Sequence, residues 1–108
     1  ADGGVVMTDF KQMLETDRLI HEPARLIIMA LLFGVENADF TFLLRETGLT
    51  RGNLSFHLSK LEEGAYVVIE KTFKGKRPHT LCSLTENGRT AFNTYRQQLQ
   101  NAANSLPD

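Results

Sequence analysis

The stretch that decides the fold reads LTRGNLSFHLSKLEEGAYV (residues 49–67). Leu54, Leu58 and Leu61 recur at helical spacing, so they form one apolar stripe along a helix. Thr50 is suited to cap the start of that helix, and Gly64 is suited to end it. Phe56 falls on the side opposite the leucines, where a helix that faces water normally carries polar residues. The outer face of this helix is therefore a candidate binding surface.

A shorter helix is predicted just before it. Asp39 is a good N-cap for FTFLLRETG (residues 40–48), whose inner face is apolar and whose last residue is glycine. A short helix, a turn of about four residues that contains glycine, and a second amphipathic helix make the helix-turn-helix pattern. Upstream, Pro23 is suited to begin a helix that ends near Gly34. A first helix is predicted over residues 7–15, after a loose tail at residues 1–6.

After Gly64 the period of the apolar residues changes. The segment YVVIEKTF (residues 66–73) is rich in β-branched and aromatic residues, KGKRP (residues 74–78) reads as a turn, and HTLCSL (residues 79–84) reads as the return strand. Thr85 is suited to cap a long final helix over about residues 85–105. The predicted fold class is mainly α with a small β-hairpin: a winged helix-turn-helix in one domain over residues 7–108, with the helix-turn-helix at about 39–63 and the wing at about 66–84.

Composition bounds the class of protein. The chain has 108 residues with a net charge of −1, but residues 50–80 carry six basic and three acidic side chains. That segment alone is +3, a mild basic footprint of the kind that favours nucleic acid. The longest apolar run, LIIMALLF (residues 26–33), is too short to cross a membrane, and no secretory signal is visible. With one cysteine, Cys82, an internal disulfide is excluded, and a cytoplasmic protein is expected.

The outer face of the residue 50–63 helix has the chemistry to contact double-stranded DNA. Arg51 could bind guanine, Asn53 adenine, and Ser55 a base or a phosphate. Gly52 would allow a DNA strand to come close, and Phe56 could press against a thymine methyl group. The predicted contacts of this helix are Thr50, Arg51, Gly52, Asn53, Ser55, Phe56, Ser59 and Lys60. The alternative is that the charged residues are merely solvated and that Gly52 belongs to the turn.

Three basic residues surround the predicted hairpin turn. Lys74, Lys76 and Arg77 flank Gly75, and an arginine at such a tip can enter a narrow A·T-rich minor groove. The alternative is a turn that its charge protects against aggregation. We favour the DNA-binding interpretation, because the turn follows a helix-turn-helix.

Other chemically active residues are expected to be structural. His57 lies at the edge of the leucine stripe and is expected to be half-buried, Arg25 is expected to bond within the fold, and Cys82 is expected in the core. No cofactor or metal site is predicted, since the chain has one cysteine and scattered histidines (His21, His57 and His79). No enzyme is expected either, because nothing places a nucleophile beside a base and no glycine-rich phosphate loop is present.

Five stretches resemble a known family. They are HEPARL (21–26), FTFLLRETGLTRGNLSFHLSKLEEGAYV (40–67), KTFKGKRPHT (71–80), SLTENGRTAF (83–92) and the trailing helix. In this order they resemble small winged-helix transcriptional regulators between the MarR and ArsR types, and most closely the compact winged-helix DNA-binding domain group. The resemblance implies DNA binding by the residue 50–63 helix and the wing, and dimerisation through the terminal helices. Metal-sensing members carry cysteine pairs or His/Asp/Glu clusters, which this chain lacks.

Two apolar faces look too large for a core of this size to cover. They predict a homodimer whose interface comprises Phe10, Met13, Leu14, Phe92, Tyr95, Leu99, Ala102 and Leu106. The expected function is that of a homodimeric DNA-binding repressor. Two alternatives remain open: a winged helix that binds another protein, and a repressor that a small-molecule effector releases from DNA.

Overall fold

Seven elements make up the fold in the computed structural model, which describes residues 17–107. Their bounds are α1 Pro23–Phe33, β1 Ala38–Asp39, α2 Phe40–Thr47, α3 Arg51–Glu63, β2 Val67–Lys74, β3 Arg77–Leu84 and α4 Glu86–Asn104. This is the winged helix-turn-helix that the sequence predicts. The predicted tail at residues 1–6 and the predicted helix at residues 7–15, with Phe10, Met13 and Leu14, lie outside the described residues.

Side-chain caps fix where the helices begin. Asp39, Thr50 and Thr85 each accept a hydrogen bond from a backbone N–H in the first turn of α2, α3 and α4, as predicted. Glu22 caps α1 in the same way, with Pro23 at the first helical position. Gly48 ends α2 at φ 69°, a left-handed conformation in which a β-carbon would be strained. These caps set the short turn between α2 and α3.

The sheet differs from the predicted hairpin in two respects. It has three strands in the order β1-β3-β2, because Ala38 and Asp39 pair with Cys82 and Leu81 of β3. A strand of two residues has no apolar alternation to reveal it, so the sequence pattern misses it. The hairpin turn is also tighter than predicted: Lys74 pairs directly with Arg77, which leaves Gly75, at φ 67°, and Lys76 as the turn.

The core lies between the helices and one face of the sheet. Its buried side chains include the predicted stripe of Leu54, Leu58 and Leu61 on α3. Cys82 is buried on β3, as expected for a core residue. The remaining buried members are Ile20, Ile28, Met29, Leu32, Ala38, Leu43, Val67, Phe92 and Tyr95. The leucine stripe thus fixes which face of α3 points outward.

The start of α4 docks closely against the loop before the wing. Thr85 donates its backbone N–H to the carbonyl of Tyr66 and its hydroxyl to the carbonyl of Ala65. A β-carbon on Gly88 would lie 2.1 Å from the Tyr66 carbonyl oxygen, so no larger residue fits there without movement. This contact holds the start of α4 against that loop.

Fewer residues of the predicted dimer stripe are exposed to a partner than the sequence implies. Phe92 and Tyr95 are 8% and 5% exposed in a single chain, and both belong to its core. Phe92 contacts the ring of Phe33, and the Tyr95 hydroxyl lies 2.9 Å from His21 Nδ1. The expectation that these two residues are left over for a partner is therefore corrected, because they pack within their own chain. Ala102 is also buried, whereas Leu99 and Leu106 are exposed.

Within residues 17–107, no helix combines the length and the apolarity that a membrane span requires. The same residues contain no group of three or more histidine, cysteine, aspartate or glutamate side chains placed to hold a metal ion.

Candidate nucleic-acid interface

The outward face of α3 is the first part of the candidate interface. The predicted contact residues Arg51, Gly52, Asn53, Ser55, Phe56, Ser59 and Lys60 are all exposed, as is the cap Thr50. The buried leucines on the opposite side hold this face in place. The sequence pattern therefore assigns the two sides of α3 correctly, and DNA contact by the outer side stays a prediction.

The start of α3 presents donors and a positive charge. Thr50 Oγ1 accepts from the N–H of Asn53 at 3.1 Å, and the remaining N–H groups of the first turn have no partner within the helix. Such a helix start favours an anion such as a DNA phosphate. The Arg51 guanidinium lies 5.9 Å from the centre of the Phe40 ring, so α2 helps to orient it. A β-carbon on Gly52 would meet no atom within 4 Å, so nothing inside the chain requires glycine there.

Phe56 is 54% exposed on the outward face, as predicted. Its ring is not free of contacts, since Lys60 Nζ lies 5.5 Å from its centre and the His57 ring meets it edge-on at 5.3 Å. Lys60 also lies 3.7 Å from Glu63. These neighbours orient an aromatic ring that remains open to a partner.

A polar cluster holds α3 against α1. His57 Nδ1 lies 3.2 Å from an Arg25 guanidinium nitrogen and 3.7 Å from a Glu22 carboxylate oxygen. Arg25 Nε donates to the carbonyl of Leu19 at 2.6 Å. The expectations that His57 is partly buried and that Arg25 bonds within the fold are confirmed. Their joining into one cluster was not predicted, because Arg25 and His57 are 32 positions apart in the chain.

The wing is the second part of the candidate interface. Lys74, Lys76 and Arg77 are exposed at its tip, as expected. Lys74 and Arg77 are directly opposite each other across the strands, so their side chains leave the same face of the sheet. Lys71 leaves the other face, because successive residues of a strand alternate. The predicted set omits Lys71, which lies next to α3.

A cleft of about 660 Å³ lies between α3 and the wing. Its lining joins Arg51, Ser55 and Ser59 of α3 to Lys71 of β2, with Glu62 as an acidic member. The other lining residues are Phe40, Leu58, Ile69 and Thr80. The cleft thus joins three of the predicted contact residues of α3 to Lys71 and Thr80 of the wing. The predicted wing contacts Lys74, Lys76 and Arg77 are not part of its lining.

Asp39 fixes strand β3 of the wing to the helix-turn-helix. Asp39 accepts from the N–H of Phe42 at 2.7 Å, and His79 Nε2 lies 3.4 Å from its other carboxylate oxygen. The hydrogen bond from Phe42, helped by His79, lowers the pKa of the Asp39 carboxyl below its ordinary value of 3.8. One side chain therefore links the start of α2 to β3.

Burial governs the chemistry of the lone thiol. Desolvation raises the pKa of Cys82 to about 11, with Glu62 and Asp39 adding to the effect. A thiol with so high a pKa is a weak nucleophile at neutral pH. Cys82 is accordingly a packing residue of the core.

Comparison with known proteins identifies a family and relatives that this chain resembles. Residues 24–103 match the family model of the winged helix DNA-binding domain. An uncharacterized protein of Methanocaldococcus jannaschii is 38% identical over 78 residues, which cover 72% of this chain and 85% of that protein.

Solved structures share the fold. A transcriptional regulator homologue from Pyrococcus horikoshii OT3 superposes with a TM-score of 0.86 at 26% identity, covering 94% of this chain and 99% of the other. A putative MarR-family transcriptional regulator from Enterococcus faecalis V583 gives a TM-score of 0.71 at 20% identity, covering 91% and 86%. With the helix-turn-helix, the wing and the match over residues 24–103, the chain belongs to the winged helix DNA-binding domain family.

Proposed function

We propose that this protein is a homodimeric transcriptional regulator, acting as a repressor, that binds double-stranded DNA through α3 and the wing. The observation that carries the proposal is the exposed face of α3. Polar, basic and aromatic side chains cover it, and its glycine and its phenylalanine have no role in the core. A helix of this diameter fits the major groove, and the residues near its start reach the base edges.

Each contact residue has a distinct part in the proposal. Arg51 and Asn53 bind base edges, Ser55, Ser59 and Lys60 bind bases or phosphates, and Phe56 packs on a thymine methyl group. Gly52 allows the DNA backbone to approach the helix. The N–H groups of the first turn after Thr50 bind a phosphate.

The wing supplies the electrostatic part of binding. Lys74, Lys76 and Arg77 neutralise phosphates that flank the bound groove, and Lys71 does so from the cleft side. The basic residues thus lie beside the base-reading helix, although the chain as a whole carries a net charge of −1. A local basic surface of this kind attracts DNA even though the net charge of the whole chain is slightly negative.

The proposed homodimer forms through the far end of α4 and the residues that follow it. Leu99 and Leu106 are 48% and 57% exposed, and each would be covered by a second copy of the chain. The sequence-predicted residues Phe10, Met13 and Leu14 belong to the same proposed interface, whereas Ala102, like Phe92 and Tyr95, is already buried within its own chain. A two-fold dimer would present two copies of α3 to half-sites about one helical turn apart, roughly 34 Å. A repressor acts by occupying such a site.

Selection of bound fragments from a random duplex library tests the proposal. The expected result is a two-fold symmetric consensus with half-sites about one helical turn, or roughly 10 base pairs, apart. An asymmetric single site would contradict the dimer while leaving DNA binding intact. Failure to enrich any sequence, with the protein folded, would contradict sequence-specific binding and favour a winged helix that binds another protein.

A further inference from the structure

The wing carries a large apolar side chain, Phe73, that has no part in the proposed binding of phosphates. Phe73 is 71% exposed, the highest value for a large hydrophobic residue in the described part of the chain. It is directly opposite Pro78, which is also exposed. An exposed phenylalanine ring on a short hairpin gains no free energy from burial unless something outside the chain covers it.

The pleat of the strand places Phe73 on the side of the wing that faces α3. Residues 67, 69, 71 and 73 of β2 share one face, and Val67 is buried in the core on that face. Ile69 and Lys71 continue along it as part of the cleft lining. Phe73 follows about 7 Å beyond Lys71, at a rise of about 3.3 Å per residue. The ring therefore extends the line of the candidate DNA-binding surface.

Positive charges surround this apolar position. Lys74 and Arg77 leave the opposite face of the same two strands, Lys76 lies in the turn, and Lys71 precedes Phe73 on its own face. An apolar ring framed by cations matches a groove whose edges are phosphates, whose walls are sugars and whose floor is formed by base edges. A large apolar protein partner would instead leave these lysines without counter-charges.

We propose, on the basis of the DNA binding proposed above, that Phe73 and Pro78 form an apolar wedge that enters the minor groove next to the site bound by α3. Proteins that bind the minor groove often insert phenylalanine or proline side chains against base steps and bend the duplex. Pyrimidine–purine steps, above all TA, unstack at the lowest cost, so the wedge favours such steps in the flanks of the site. Lys74, Lys76 and Arg77 hold the phosphates on the groove edges while the ring contacts its floor.

The test compares two threonine variants on one strand. Phe73→Thr removes the wedge but keeps a residue that suits a strand, and Val68→Thr makes the matched change at an exposed position on the opposite face of β2. The probe is a fluorescent A·T-rich duplex titrated by anisotropy over a series of salt concentrations. We expect Phe73→Thr to bind about tenfold more weakly, because it removes most of the apolar surface that contacts the base steps. Phe73→Leu is expected to retain most of the affinity, and Val68→Thr to bind like the wild type.

The salt dependence separates the wedge from the lysines. An apolar contact releases no counterions, so the slope of log K against log salt is expected to be the same for Phe73→Thr and for the wild type. Wild-type affinity retained by Phe73→Thr would overturn the wedge and leave the proposed function standing. A wild-type protein that gives no saturable binding would instead overturn the proposed function, and the wedge with it.

A pair of duplexes identifies the groove. Replacing guanine by inosine removes the 2-amino group from the minor groove and leaves the major-groove edge of the base unchanged. We expect the wild type and Val68→Thr to prefer the inosine duplex, and Phe73→Thr to lose most of that preference. An equal preference in both threonine variants would show that the ring does not enter the minor groove.

Discussion

Gly52 gives the sharpest test of the outer face of α3, because its substitution should change folding and binding in opposite directions. In the folded chain a β-carbon at this position meets no atom within 4 Å. Alanine therefore fits without any shift, and it suits a helix better than glycine does. Gly52→Ala is expected to raise the free energy of unfolding by up to about 1 kcal/mol.

The same methyl group should weaken DNA binding if the start of α3 lies against a strand. We expect an affinity loss comparable to that of one mismatched base pair, about 1–3 kcal/mol, or roughly 5- to 150-fold. The unfolding free energy comes from denaturant melts followed by circular dichroism. The affinity comes from competition binding to a selected duplex.

Gly88→Ala is the control, since its β-carbon would lie 2.1 Å from the Tyr66 carbonyl oxygen. Overpacking of this kind should destabilise the fold by about 1–3 kcal/mol. Below its unfolding transition this variant should still bind DNA, because Gly88 is buried in α4 and forms no part of the outer face of α3. If Gly52→Ala bound DNA as tightly as the wild type, α3 would not approach DNA through its first turn.

Three further changes test separate parts of the account. Phe56→Ala should lower the free energy of unfolding by about 0.5 to 1 kcal/mol, far below the 3–5 kcal/mol lost with a core phenylalanine. It should also reduce the preference for a selected site over random duplex. A loss of several kcal/mol in a denaturant melt would show that the ring belongs to the core. Asp39→Ala should cost about 1 kcal/mol at neutral pH by removing the cap of α2. Because the folded pKa of Asp39 lies below its ordinary value of 3.8, this difference in stability should be complete above about pH 4 and should shrink as the pH falls further; a difference that grew in acid would contradict it. Leu99→Asp should leave a folded monomer where light scattering finds a wild-type dimer; a monomeric wild type at tens of micromolar would exclude the proposed interface.

Local signals in the sequence suffice for much of the fold. Asp39, Thr50 and Thr85 cap their helices as predicted, because capping involves residues three positions apart. The stripe of Leu54, Leu58 and Leu61 likewise fixes the outward side of α3, on which Phe56 is exposed. A contact between near neighbours in the chain is visible in the order of the residues.

The misses depend either on contacts between distant segments or on the register of the hairpin. Phe92 and Tyr95 share the stripe of Leu99, but Phe33 of α1 contacts Phe92 and His21 contacts Tyr95. No spacing within α4 marks which of its residues such distant segments cover. The role of Phe73 depends on register: a turn of two residues puts Lys74 opposite Arg77, and the pleat then decides which side chains face α3. The cleft position of Lys71 follows from the same register.

The salt dependence of DNA binding tests the central claim most directly. Log K for wild-type binding to a duplex, plotted against log salt, should fall linearly, with a slope of about −0.9 for each phosphate neutralised. The double variant Lys76→Ala with Arg77→Ala should flatten that slope by up to about two units for one wing, and by more when both wings of a dimer are engaged. No saturable binding by the wild type, or an unaltered slope in the double variant, would contradict DNA recognition by this wing.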